Sequence, residues 1–178
     1  LLVSGPTDSR NGALDYETEL NVTGGTILAA GASGMAKQAT SVSGCRSVMY
    51  TFDRTMNGEI LISVCDGEGR LLLAFAPEKD FQCLAVCSDL LGAEESKTIR
   101  ICRGGIITGG GEPAFGVYYT SGELNDETLL SELTLTSPIS LFTSDGEQPE
   151  GGNNFGGPVG GMFPPSGPVG FPGGGRNR

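Results

Sequence analysis

Short apolar runs broken by glycine dominate the start of the chain: LLVSG at residues 1–5, LNVTGG at 20–25 and TILAAG at 26–31. Runs of this length with period-two spacing are strand-like, and the Gly, Asn and Asp between them form turns. Two runs end alike, Val3-Ser4-Gly5 and Ala29-Ala30-Gly31, 26 residues apart. Three short strands per period, at 1–4, 20–23 and 26–30, predict coils of a parallel β-solenoid, with glycine at the corners where a Cβ is excluded. The spacing alone equally allows a β-meander.

The pattern then changes. Strand-length runs follow at 47–53 (SVMYTFD), 59–65 (EILISVC), 70–76 (RLLLAFA), 81–87 (FQCLAVC) and 97–102 (KTIRIC). Asn57-Gly58 and Asp66-Gly67 between them are hairpin signals, so neighbouring strands are expected to be antiparallel, as a meander or sandwich. Packed on the end of the solenoid, such a unit would cover its open edge. Two more strands are expected near 114–120 and 129–136; NDETLLSEL, at 125–133, alternatively reads as a short helix capped by Asn125 or Asp126. From Ser144 onward the chain is built from Gly and Pro with scattered Phe and Met, which predicts a flexible tail. The expected organisation is all-β: last coils of a right-handed parallel β-helix over 1–43, an antiparallel β cap over 44–143 and a disordered Gly/Pro-rich tail over 144–178.

Charge narrows the partners. The net charge is −10 and the sequence pI about 4.4, which disfavours a nucleic-acid backbone or an anionic membrane surface. The chain has no histidine, which removes the commonest general base and every Ser-His or Cys-His pair. No stretch is long and apolar enough to span a membrane. LLVSGPTDSR lacks the features of a signal peptide and starts within a strand, so the chain is read as the C-terminal portion of a longer protein. Cys45, Cys65, Cys83, Cys87 and Cys102 form no CxxC pair. Cys83 and Cys87 would share a strand face about 13 Å apart, too far to bond, and all five are expected to be buried thiols in a reducing or anaerobic setting.

The stretches V-S-G-P-T (3–7), N-G-A-L-D-Y (11–16), G-G-T-I-L-A-A-G (24–31) and S-G-M-A (33–36) carry a resemblance, joined downstream by LLLAFAPEKDFQCLAVCSDLL (71–91). Over roughly residues 3–140 the chain resembles a bacterial family of secreted carbohydrate-binding right-handed β-helices that bind cellulose and pectin. The resemblance implies a fold similar to that of some pectate lyases, bound calcium ions, and extracellular or cell-surface polysaccharide binding without cleavage. It places Asn11 where the family's earlier coils carry the Asp of a D-G-I repeat.

Candidate residues follow. Asp8, Asn11, Asp15 and Glu17 lie close together in one loop-rich stretch, and oxygen donors at such spacing suit Ca²⁺; Asp8, Asn11 and Asp15 are the candidate ligands. The plainer reading makes Asp8 and Asn11 turn formers and Asp15 and Glu17 solvated charges. With no Trp in the chain, sugar stacking falls to tyrosine, and Tyr16, Glu17 and Tyr118 are the candidate carbohydrate contacts; Tyr118 and Tyr119 point to opposite faces of a strand. A non-catalytic polysaccharide-binding module, calcium-dependent and recognising polygalacturonate or cellulose, is therefore expected. The alternatives are a filament-forming solenoid that self-associates through its ends, and a polysaccharide lyase whose base is Lys37 or Arg10, the only basic residues before residue 44.

Overall fold

The computed structural model describes residues 1–149. In chain order the strands are β1 (Leu2–Ser4), β2 (Asn21–Val22), β3 (Thr26–Gly31), β4 (Ser41–Val42), β5 (Arg46–Met56), β6 (Ile62–Asp66), β7 (Leu71–Phe75), β8 (Phe81–Ser88), β9 (Lys97–Thr108), β10 (Tyr118–Tyr119), β11 (Glu123–Leu135), β12 (Ile139–Thr143) and β13 (Gly146–Gln148). One 3-10 turn, Asp89–Leu91, follows β8, and no α-helix occurs among the described residues. The chain is all-β, as expected.

The strands form a six-stranded sheet in the order β1-β3-β8-β5-β12-β13, a five-stranded sheet β10-β7-β6-β9-β11, and a separate parallel pair β2-β4. Alternation along each strand sends one set of side chains between the two large sheets. Leu28, Val48, Tyr50, Leu84, Val86 and Phe142 come from the first sheet, and Ile62, Val64, Leu73, Phe75, Ile99 and Leu133 from the second, into one core. Tyr50 and Phe52 meet edge-on at 4.8 Å, Phe52 and Phe81 at 5.7 Å. Each such buried side chain contributes about 1.5–3 kcal/mol.

The 26-residue recurrence appears as backbone pairing. β1 runs parallel to β3 with Val3 opposite Ala29 and Ser4 opposite Ala30, and β2 runs parallel to β4 with Asn21 opposite Ser41. The stacking stops there. β8 lies antiparallel between β3 and β5, so no described sheet continues as a solenoid, and strands expected in the coils share a sheet with strands expected in the cap.

Parallel strands need long connections, and those between β1 and β5 cover the outer face of the six-stranded sheet. Ala29, Met49, Cys83, Ala85 and Leu141 point to that side and are buried under Ala13, Leu14 and Ala36 of the connections. β8 is apolar almost throughout because it is covered on both faces.

Two local expectations change, and of the two readings of residues 125–133 the strand is the one found. Asp66-Gly67 does make a hairpin, joining β6 to β7, but Asn57-Gly58 carries the chain from one sheet to the other. A Cβ on Gly58 would lie 2.6 Å from the Lys79 carbonyl carbon, so this glycine serves a close approach between chain segments. Residues 125–133 belong to β11, which pairs with β9 along its length, not to a helix. Of the expected tail, residues 146–148 pair with β12, with Gly146 at φ 114° in the turn; residues 150–178 lie outside the described region. Arg46, buried at the start of β5, donates to the carbonyls of Ser137 and Glu94 and ties three segments together.

Candidate functional site

The expected calcium corner lies on the first connection, between β1 and β2. Asn11 N–H donates to the Asp8 carbonyl at 3.2 Å, closing a turn. The Asp8 carboxylate accepts from Arg10 N–H at 2.9 Å and from the Arg10 guanidinium at 2.5–3.1 Å. The side-chain hydrogen bond from Arg10, then its backbone N–H, hold the exposed Asp8 carboxyl below its ordinary pKa. Asn11 Oδ1 accepts from Gly12 N–H at 2.9 Å.

Asp15 and Tyr16 meet the chain's other early cation. Lys37 Nζ lies 3.2 Å from Asp15 Oδ1, donates to the Tyr16 carbonyl, and sits 4.7 Å from the centre of the Tyr16 ring. The Tyr16 hydroxyl donates to the Gln38 carbonyl at 2.6 Å. Burial raises the pKa of Tyr16, and the nearby Lys37 charge acts against that. Glu17 is exposed.

A calcium ion takes about 6–8 oxygens at 2.3–2.6 Å. Here the Asp8 carboxylate is bridged by Arg10 and Asp15 by Lys37, so two cations of the chain itself occupy the anionic donors. Among the described residues no three His, Cys, Asp or Glu side chains stand together in a metal-holding group. A calcium ion held by this set would have to displace Arg10 from Asp8 and Lys37 from Asp15. The same pairs engage Arg10 and Lys37, the two candidate lyase bases.

Tyr118 is half-buried and packs against the end of the main core. Opposite Phe75 and Ala74 of β7, Tyr118 and Tyr119 form the edge strand of the five-stranded sheet. The turn before them contains a residue that the sequence pattern did not single out. Ala114 exchanges backbone hydrogen bonds with Tyr118 at 2.8 and 3.0 Å, and Gly116 N–H donates to the Pro113 carbonyl at 3.1 Å. This tight turn presents Phe115 with 88% of its surface exposed and φ 56°. A bulky residue in the left-handed region is strained by about 1–2 kcal/mol, and an exposed phenyl ring adds nothing to the core. The only signal in the sequence is an aromatic residue flanked by Ala and Gly inside a turn-rich run, GGGEPAFGVYY.

Compared with protein-family models, with curated proteins and with solved structures, the chain matches none.

Proposed function

We propose that the chain is a non-catalytic polysaccharide-binding module of an extracellular or cell-surface protein, with the aromatic turn at 113–119 as its sugar platform. The observation that carries this reading is Phe115, an exposed ring held in a strained backbone beside Tyr118 and Tyr119 on a sheet edge. Strain of this kind persists where the surrounding structure fixes it, and it clusters at ligand contacts. A flat apolar ring offers a pyranose face a complementary surface.

Charge ranks the polymers. A chain of net charge −10 repels polygalacturonate and is indifferent to a neutral β-glucan, so cellulose-type chains suit the aromatic turn. Calcium belongs to this proposal only for acidic polymers. The test is calorimetric titration of cello-oligosaccharide and of polygalacturonate, each in calcium and after chelation, into the wild type and Phe115→Ala. The expected result is cello-oligosaccharide heat that is insensitive to chelator and weakened at least tenfold by the substitution. Heat unchanged in Phe115→Ala, or none with either polymer, overturns the reading.

A second reading rests on the parallel register of β1 with β3 and β2 with β4. Two parallel pairs are what a coil would stack, and β1 is the outer strand of its sheet, so a structural protein could extend the sheet there. Sedimentation separates the two: concentration-dependent multimers without glycan favour the structural role.

A further inference from the structure

We infer that Cys45 and Cys87 are a redox-active pair that closes to a disulfide and fastens the parallel β2-β4 unit to the centre of the six-stranded sheet. Their Sγ atoms lie 3.6 Å apart, across residues 42 positions apart in sequence. Both pack in one small cluster with Val22 and Ala39, and the Cys45 thiol donates to the Val22 carbonyl of β2 at 3.7 Å. Cys87 is on β8 opposite Ser47, and Cys45 stands two residues before Ser47, just outside the regular part of β5.

A disulfide requires the sulfurs to approach to about 2.05 Å with Cα atoms within about 7 Å. Cys45 is the diagonal neighbour of Cys87, a relation that sets Cα atoms about 7–8 Å apart in a regular sheet, so closure needs the turn before β5 to move as well as the sulfurs to approach by about 1.5 Å. Gly44, next to Cys45, has φ 70° with open space on its Cβ side, so the turn can shift. A cavity of about 10 Å³ lies against Cys87, lined also by Gln38, whose Oε1 is buried without a partner. Cys83, four residues from Cys87 on the same strand, is beyond the reach of Cys45, and its Sγ accepts from the Thr51 hydroxyl at 4.0 Å.

The oxidant is a peroxide. The Cys45 thiolate attacks one peroxide oxygen of H₂O₂, giving a sulfenic acid and hydroxide, which takes up the proton the thiol released. The Cys87 sulfur then displaces the sulfenic oxygen as water. In sum two thiols and one H₂O₂ give one disulfide and two waters, and the two electrons leave with the oxygen. Burial, and next the neighbouring Cys45 thiol, push the Cys87 pKa up to about 12, so closure quickens as pH rises. Local opening at the exposed Ser43-Gly44 turn admits the peroxide.

The full chain is treated with hydrogen peroxide under native conditions, unfolded in an alkylating reagent, digested and read by mass spectrometry, with thermal melting in parallel. The expected result is a peptide pair joined through Cys45 and Cys87, with Cys83 alkylated. The melting temperature should rise by several degrees and return on reduction. Cys45→Ser and Cys87→Ala should each abolish the rise. Both thiols still alkylated in folded, peroxide-treated protein, or Cys45 joined to another cysteine, overturns the inference. So does a rise in melting temperature that persists in both variants.

Discussion

The two large sheets solve the burial of their outer faces in opposite ways. The six-stranded sheet contains the parallel pairs β1-β3 and β5-β12; the connections between β1 and β5 cross its outer side and bury Met49, Cys83 and Ala85, while the β5-β12 connection carries the five-stranded sheet. The five-stranded sheet is antiparallel throughout. Its outer face keeps Leu129 53% exposed. Parallel pairing forces a crossover, a crossover has to lie somewhere, and here it supplies a second small core. The first sheet therefore depends on close packing of chain on chain, the second on its turns.

The largest expected contrast comes from equivalent truncations on the two outer faces. Met49→Ala removes a side chain that is 3% exposed beneath the first connection and should cost about 2–5 kcal/mol. Leu129→Ala, at an exposed position on the second sheet's outer face, should stay within about 0.5 kcal/mol. Urea unfolding of both variants measures the difference. Equal losses would mean that the connections do not cover the first sheet in solution.

Glycines sharpen the same contrast at smaller scale. Gly34 lies where the two connections cross, and a Cβ there would overlap the Ser9 carbonyl. Gly34→Ala should cost about 3 kcal/mol, because backbone must move to make room. Gly69, in the β6-β7 hairpin, has φ 87° and only the Arg100 guanidinium nearby at 3.6 Å. Gly69→Ala should cost only the left-handed strain, about 1–2 kcal/mol. Reversal of that order in thermal melts would contradict the division between packing and turn chemistry.

What the sequence disclosed follows the same division. The spacing of Val3-Ser4-Gly5 and Ala29-Ala30-Gly31 became an in-register parallel pair, because two like strand ends were written at matching positions of two runs. Asp66-Gly67 became a hairpin, because a turn is written in the residues that make it. The insertion of β8 between β3 and β5 leaves no local trace: Leu28 and Val86 pair across 58 residues. Asn57-Gly58 misled for the converse reason, since a glycine needed for close approach to Lys79 looks like one needed for a turn. At the candidate site, Asp8 and Arg10 are close enough in sequence for their pairing to be read locally, whereas Lys37 reaches Asp15 only because the two connections lie side by side. Phe115 was invisible because the left-handed position is normally filled by glycine, and Gly116 stands beside it.

The smallest effect tests whether the hairpin sheet depends on turn chemistry that titrates. Asp66 Oδ1 accepts from Glu68 N–H and Arg70 N–H, each at 2.9 Å, and Oδ2 from the Arg70 guanidinium at 2.7 Å. Burial works to raise the Asp66 pKa, but the hydrogen bonds from Arg70 and Glu68 outweigh it and leave the carboxyl below its ordinary value. A carboxylate lowered in the folded state contributes stability that is present above its unfolded pKa of about 3.9 and disappears as pH falls through the folded value. Asp66→Asn should therefore cost on the order of 1 kcal/mol at pH 7 and converge on wild type near pH 2. Asp8 is paired as well, but on a fully exposed turn of the connection where solvent screens the pair, so Asp8→Asn should depart from the wild-type curve in the same direction but less than Asp66→Asn. Urea midpoints across pH 2–7 would separate the two aspartates. If Asp8→Asn lost as much stability as Asp66→Asn, the connections too would be held by their turns, and the contrast between the sheets would narrow to packing of the outer face alone.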